Sequence, residues 1–125
     1  MKQQDMGEAD IDMHELVKQL TDRIQKLNHL LPILPEEELY IQFESETETV
    51  VVAISKHKIE QKKEVDERRV LTVRGSKKAL ETLLNGKLKL QQQIRLQEVH
   101  ISGSFRHMLL LESLIHLSKP YRYVG

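Results

Sequence analysis

Between Arg69 and Lys119 the chain runs through four segments of alternating strand and helix period, and three glycines mark the joins. The segments read RVLTVRG, SKKALETLLNGK, QEVHISGSF and RHMLLLESLIHL, with Gly75, Gly86 and Gly103 at the joins. The first carries a β-branched run suited to a strand. The second opens on Ser76, a good N-cap, brings Ala79, Leu80, Leu83 and Leu84 onto one helical face and stops at Gly86. In the third, Val99 and Ile101 alternate with Glu98, His100 and Ser102, the period of a short strand. The fourth is a helix capped by Ser104 and running to Ser118 or Lys119 before Pro120. Between the second and third, LKLQQQIR has good helix formers and few breakers, so a short helix from Leu88 to about Arg95 delivers Ile94 inward. So rapid an exchange of strand and helix confines the chain to an α+β architecture.

The closing helix is apolar on more than one side. Phe105, Met108, Leu109 and Ile115 share one arc of about 100°, Leu110, Leu114 and Leu117 lie nearly opposite, and Leu111 falls between them. Such a helix is expected to bury two sides. Either both pack, one on the sheet and the other on the first helix or a second copy of the chain, or one lines an internal apolar cavity where Met108 adapts to the ligand. The pattern alone does not separate these.

Upstream, Asp10 is the expected N-cap of a first helix, with Asp12 and Glu15 in its first turn. Met13, Leu16, Val17, Leu20, Ile24, Leu27 and Leu31 make a single apolar stripe, and Pro32 and Pro35 stop the helix. Leu39, Ile41 and Phe43 alternate with Tyr40, Gln42 and Glu44 as a half-buried strand. A turn at Ser45 to Glu48 leads into Thr49 to Ile54, apolar enough to be covered on both faces, and Lys56 to Val65 returns as a charged edge strand. Val70 to Val73 form a fourth. The expected fold is a helix, a strand meander, then helices with a returning strand.

With 125 residues the chain makes one domain and can bury roughly two-thirds of its unfolded surface. Residues 1 to 9 read as a polar, disordered tail and 10 to 125 as the single domain. Nineteen basic residues balance nineteen acidic ones, so no general field attracts nucleic acid. Cysteine is absent, which removes disulfides, thiolate metal sites and a cysteine nucleophile and suits a reducing compartment. No apolar run reaches the length of a membrane span, and neither terminus carries a recognisable address, so the expected location is cytoplasmic.

The segment LTVRGSKKALETLLNGKLKLQQQIRLQEVHISGSFRHMLLLESLI resembles the carboxyl-terminal half of the sterol carrier protein type 2 family. Leu83-Leu84-Asn85-Gly86-Lys87 falls on that family's helix end and Val99-His100-Ile101-Ser102-Gly103 on its late strand and terminal glycine, at the family's separation. About 45 residues match closely and the rest by element order. Two positions depart: Gln97 replaces the glycine that commonly precedes the late strand, and Ile94 and Arg95 replace an aromatic pair. The resemblance implies a five-stranded, mostly antiparallel sheet covered by helices, with an apolar tunnel for a sterol, fatty acid, fatty acyl-CoA or phospholipid. By position, Leu90, Ile94, Phe105, Met108, Leu109 and Leu111 are its implied lining, and neither a cofactor nor a metal nor a catalytic residue is expected. A filled core with an apolar dimerisation or partner surface is the competing expectation.

Catalytic readings are weaker. The histidines at 14, 29, 57, 100, 107 and 116 lack metal-ligand spacing. Ser102-Gly103-Ser104 with His107 lacks a nucleophile elbow, and Ser104 is expected to cap a helix instead. Gly75-Ser76-Lys77 offers amides and a lysine to a phosphate but not a full phosphate-binding loop. The basic residues Lys56, Lys58, Lys62, Lys63, Arg68 and Arg69 are interleaved with acids and read as a solvated edge.

Overall fold

The computed structural model describes residues 12–119. Its elements are helix α1 (Met13–Gln25), strands β1 (Leu39–Glu44), β2 (Thr49–Ile54), β3 (Ile59–Lys62) and β4 (Val70–Gly75), helices α2 (Lys77–Leu84) and α3 (Leu90–Arg95), strand β5 (Val99–Ser102) and helix α4 (Phe105–Ser118). The five strands form one sheet in the order β3-β2-β1-β4-β5. β1 pairs with β4 in parallel and the other three pairings are antiparallel, so the sheet is mixed.

Register puts the apolar residues on one face. Leu39, Ile41 and Phe43 of β1 stand beside Ile54, Val52 and Val50 of β2, and Ile41 and Phe43 stand beside Leu71 and Val73 of β4. All of these are buried in a single core with α1, α2, Leu90, Val99 and α4. Val51 and Ala53 are also buried, as the apolar run in β2 requires, but they point to the other face. Their register neighbours there are Gln42 and Lys62, Tyr40 and Glu60, so long polar side chains cover them in place of a second helical layer.

The turns are built by serine. Ser45 Oγ accepts from the Glu48 amide, Ser55 Oγ accepts from the His57 and Lys58 amides, and each closes a hairpin. Ser76 Oγ accepts from the Ala79 amide and Ser104 Oγ from the His107 amide, capping α2 and α4. At the end of α2, Gly86 holds φ +73°, its amide bonds the Leu83 carbonyl and the Lys87 amide bonds the Thr82 carbonyl. Those paired bonds satisfy two of the carbonyls that a helix end leaves open.

Four expectations need correction. The cap of α1 is Asp12, whose side chain takes the Glu15 amide at 2.8 Å; Asp10 lies outside the described residues, as do 1 to 9. The helix also ends at Gln25, before either proline, and a tighter 3₁₀ turn (Asn28–Ile33) contains Pro32. Once the 3.6-residue spacing is lost, Leu30 is buried and Leu31 is 46% exposed. β3 covers four residues and not the whole of Lys56 to Val65, since only Val51 to Ile54 of β2 offer it partners. Finally, α4 buries one face, made of Met108, Leu111, Leu114, Ile115 and Ser118, and leaves Phe105, Leu109 and Leu117 exposed. It packs on α1 and the 3₁₀ turn, and no layer lies over its far side among the described residues.

Candidate functional site

A groove of about 720 Å³ opens where the inner face of β5 meets the end of α3 and the start of α4. Ile94 and Gln97 form one wall, Val99 and Ile101 the floor, and Gly103, Ser104, Phe105 and Met108 the other wall. Its size falls within the range of about 300–1,000 Å³ usual for small-molecule sites. The groove is open to solvent, whereas the resemblance implied an enclosed tunnel. The reason lies in α4: Met108 and Leu111 sink into the core below, while Phe105, 66% exposed, stands out at the rim.

Chain direction places these residues. β5 is the last strand of the sheet, paired on one side only, and its alternation sets Val99 and Ile101 on the face opposite Ser102, while His100 also borders the groove. Gly103 follows at φ +142°, and a Cβ there would come within 2.9 Å of Leu71 Cδ1, so a residue without a side chain lets the start of α4 pass this close to β4. Gln97 enters β5 with φ 62°, a left-handed conformation unfavourable for a side chain with a Cβ. It occupies the position where the family resemblance expected glycine.

Of the six implied lining residues, Ile94, Phe105 and Met108 meet at the groove. Leu90 and Leu111 are fully buried core, and Leu109 is 37% exposed on the outer side of α4. Leu90 borders a separate hollow of about 180 Å³ with Leu83, Leu88, Ile115 and Lys119. Sequence reasoning passed over Val99, Ile101 and Gln97. The alternation of β5 held the signal for the first two, because a strand at a sheet edge leaves part of its inner face for whatever lies beyond.

Several polar groups around the groove find their partners within the chain. Glu112 accepts from both the amide and the side chain of Gln91, at 3.0 and 2.7 Å, joining α4 to the start of α3. His107 has its pKa pushed below the usual imidazole value, first by burial and then by Arg69 and Arg106. The Lys77 amide at the start of α2 donates to Glu46 Oε1 at 3.0 Å, so a carboxylate of the chain already takes the place a phosphate would need. Lys56 pairs with Glu36, Lys58 and Lys62 with Glu60, Arg68 with Asp66 and Arg69 with Glu37, all near the surface. Among the described residues no group of histidine, aspartate and glutamate is placed to hold a metal ion, and no helix is long and apolar enough to cross a membrane.

No family model matches the chain. It is 31% identical to the SCP2 domain-containing protein YusD of Bacillus subtilis (strain 168) over 107 residues, which are 86% of this chain and 93% of that protein. Among solved structures it is similar to a UbiJ-SCP2 ubiquinone synthesis protein, with TM-score 0.64 and 16% identity over 87% of this chain and 96% of that one. It is equally similar in fold to palmitated SCP2L2 from Aedes aegypti, with TM-score 0.64 and 12% identity over 89% of this chain and all of that one. With that identity over nearly the whole of YusD, the chain belongs to the SCP2 domain family.

Proposed function

We propose that the chain is a non-catalytic lipid-binding module of the cytoplasm, holding a fatty acid, fatty acyl-CoA, sterol-like or prenylated lipid with its apolar part in the groove between β5 and α4. The observation that carries this reading is the groove itself, of ligand size, with Ile94, Ile101, Phe105 and Met108 turned into it. Burial of the roughly fifteen carbons of a palmitoyl tail supplies on the order of 12 kcal/mol, which after an association cost of about 4 kcal/mol leaves micromolar binding without directional chemistry. Met108 is the adaptable member of the wall. The palmitated state of the Aedes aegypti relative and the ubiquinone-synthesis name of the other neighbour define which ligands to try.

A fluorescent fatty-acid probe, displaced by palmitate, cholesterol and a short-chain ubiquinone analogue, tests the reading. The expected outcome is micromolar displacement by at least one of them, reduced tenfold or more in Phe105→Asp and Met108→Asp chains that keep the wild-type circular dichroism. Absence of probe binding in the wild type overturns it. A second reading, self-association through α4, is favoured by the exposure of Phe105, Leu109 and Leu117 along its outer side. A concentration-dependent dimer broken by Leu109→Lys or Leu117→Lys, with no lipid bound, selects that reading.

A further inference from the structure

We infer that Gln93 is the polar anchor of the ligand site, its Oε1 accepting a hydrogen bond from a hydroxyl group carried by an otherwise apolar ligand; the inference rests on the lipid-binding reading above. Three glutamines follow one another in α3, and they differ in surroundings. Gln91 is exposed and bound to Glu112, and Gln92 is exposed with its Oε1 accepting the Lys89 amide. Gln93 alone is fully buried, its Nε2 donating to the Ala79 carbonyl at 2.9 Å. Because that carbonyl can only accept, the NH₂ end of the carboxamide must face it, and the orientation of the side chain is set. The other end is then left over: Oε1 is buried and meets no donor among the described residues.

A buried carbonyl oxygen without a donor is rare in folded proteins and unfavourable. Packing alone would be served better by leucine or methionine, so the oxygen points to a partner that the chain does not supply. Its place in the fold says where that partner comes from. The next residue, Ile94, lines the groove. The Gln93 backbone carbonyl takes the Glu98 amide at 2.9 Å, and both Glu98 and Ala79 border a second hollow of about 340 Å³, with Ser76, Thr82 and Leu88. Gln93 itself borders neither hollow, but it lies one residue from the wall of the first and is hydrogen-bonded through Ala79 and Glu98 to the wall of the second. A partner arriving past the apolar side chains of the groove, Ile94, Val99, Ile101 and Met108, must be neutral and must bring a hydrogen. A hydroxyl does both. An ionised carboxylate does neither, and its charge is repelled by the carboxamide oxygen, so a fatty acid gains nothing at this point while a long-chain or sterol-type alcohol does.

Decan-1-ol and its methyl ether, 1-methoxydecane, differ in that single hydrogen and are the probes, measured by displacement of the fluorescent fatty acid from the full chain. The alcohol is expected to bind the wild type about tenfold more tightly than the ether, the size of one net buried hydrogen bond. In Gln93→Met, close in shape and without the acceptor, both should bind alike at the affinity of the ether. Gln93→Leu is the second variant should the first fold poorly. Equal binding of alcohol and ether to the wild type overturns the anchor while leaving the lipid-binding reading in place, and so does a preference that persists in a folded Gln93 variant. Displacement by neither alcohol nor ether while the fluorescent fatty acid binds overturns the anchor alone, and failure of the fluorescent fatty acid itself to bind overturns the lipid-binding reading as well.

Discussion

At Gln97 a single backbone angle records a departure from the family pattern. The left-handed conformation there is held by its neighbours: the Gln97 amide bonds the Ile94 carbonyl and the Glu98 amide bonds the Gln93 carbonyl, closing α3 and turning the chain into β5. A residue with a Cβ is strained in that conformation by roughly 1 kcal/mol relative to glycine. Gln97→Gly should therefore raise the stability of the chain by about 1 kcal/mol, read as a higher urea midpoint at unchanged slope, although glycine elsewhere loosens a fold. A lower midpoint would show that the Gln97 side chain repays the strain through contacts at the groove wall. Gln93, four residues earlier, is the opposite case: its backbone is ordinary and its side chain is out of place.

Among the elements, α4 carries the most information. Ser104 caps it, Glu112 joins its middle to α3, and its first turn is electrostatically crowded. There the His107 pKa is depressed by burial, with Arg69 and Arg106 adding repulsion. The folded chain thus disfavours the proton that the unfolded chain accepts near pH 6.5. Stability from this group is complete above that pH and declines as pH falls from about 6.5 through the depressed folded value. The thermal midpoint of the wild type should drop between pH 7 and pH 5 more steeply than that of His107→Gln, and parallel slopes would remove His107 as the cause. The serine caps of α2 and α4, the glycine end of α2 and the alternation of β1 were all legible, because each depends on backbone groups within a few residues. The end of α1 was not. Its apolar stripe continues in sequence past Gln25, and only packing against the sheet and α4 decides that Leu30 and not Leu31 turns inward.

On the scale of the whole molecule, Arg23 draws the helices together. From α1 its Nε donates to the Ser118 carbonyl at 2.9 Å and its Nη2 to the Leu84 carbonyl at 2.7 Å, so one half-buried guanidinium closes the ends of both α4 and α2. Burial lowers its pKa, yet a guanidinium stays charged across the physiological range. Arg23→Met keeps the volume and removes both bonds, and the loss should be about 3 kcal/mol by urea unfolding, since bonds from a charged donor contribute roughly 1.5–3 kcal/mol each and part is recovered by water. A loss below 1 kcal/mol would mean that the helix ends are held by packing alone.

Element order, the α+β class and the resemblance to the sterol carrier family were readable from residue period and local breakers, which act over short stretches of chain. Three features were decided only by the tertiary structure: the parallel pairing of β1 with β4, the choice of one buried face on α4, and the enclosure of Gln93. Each depends on which surfaces distant segments present to one another. A helix that is apolar on two sides, or a run of three glutamines, does not itself specify which side meets the core, and here that choice opens the groove and buries an acceptor close to it.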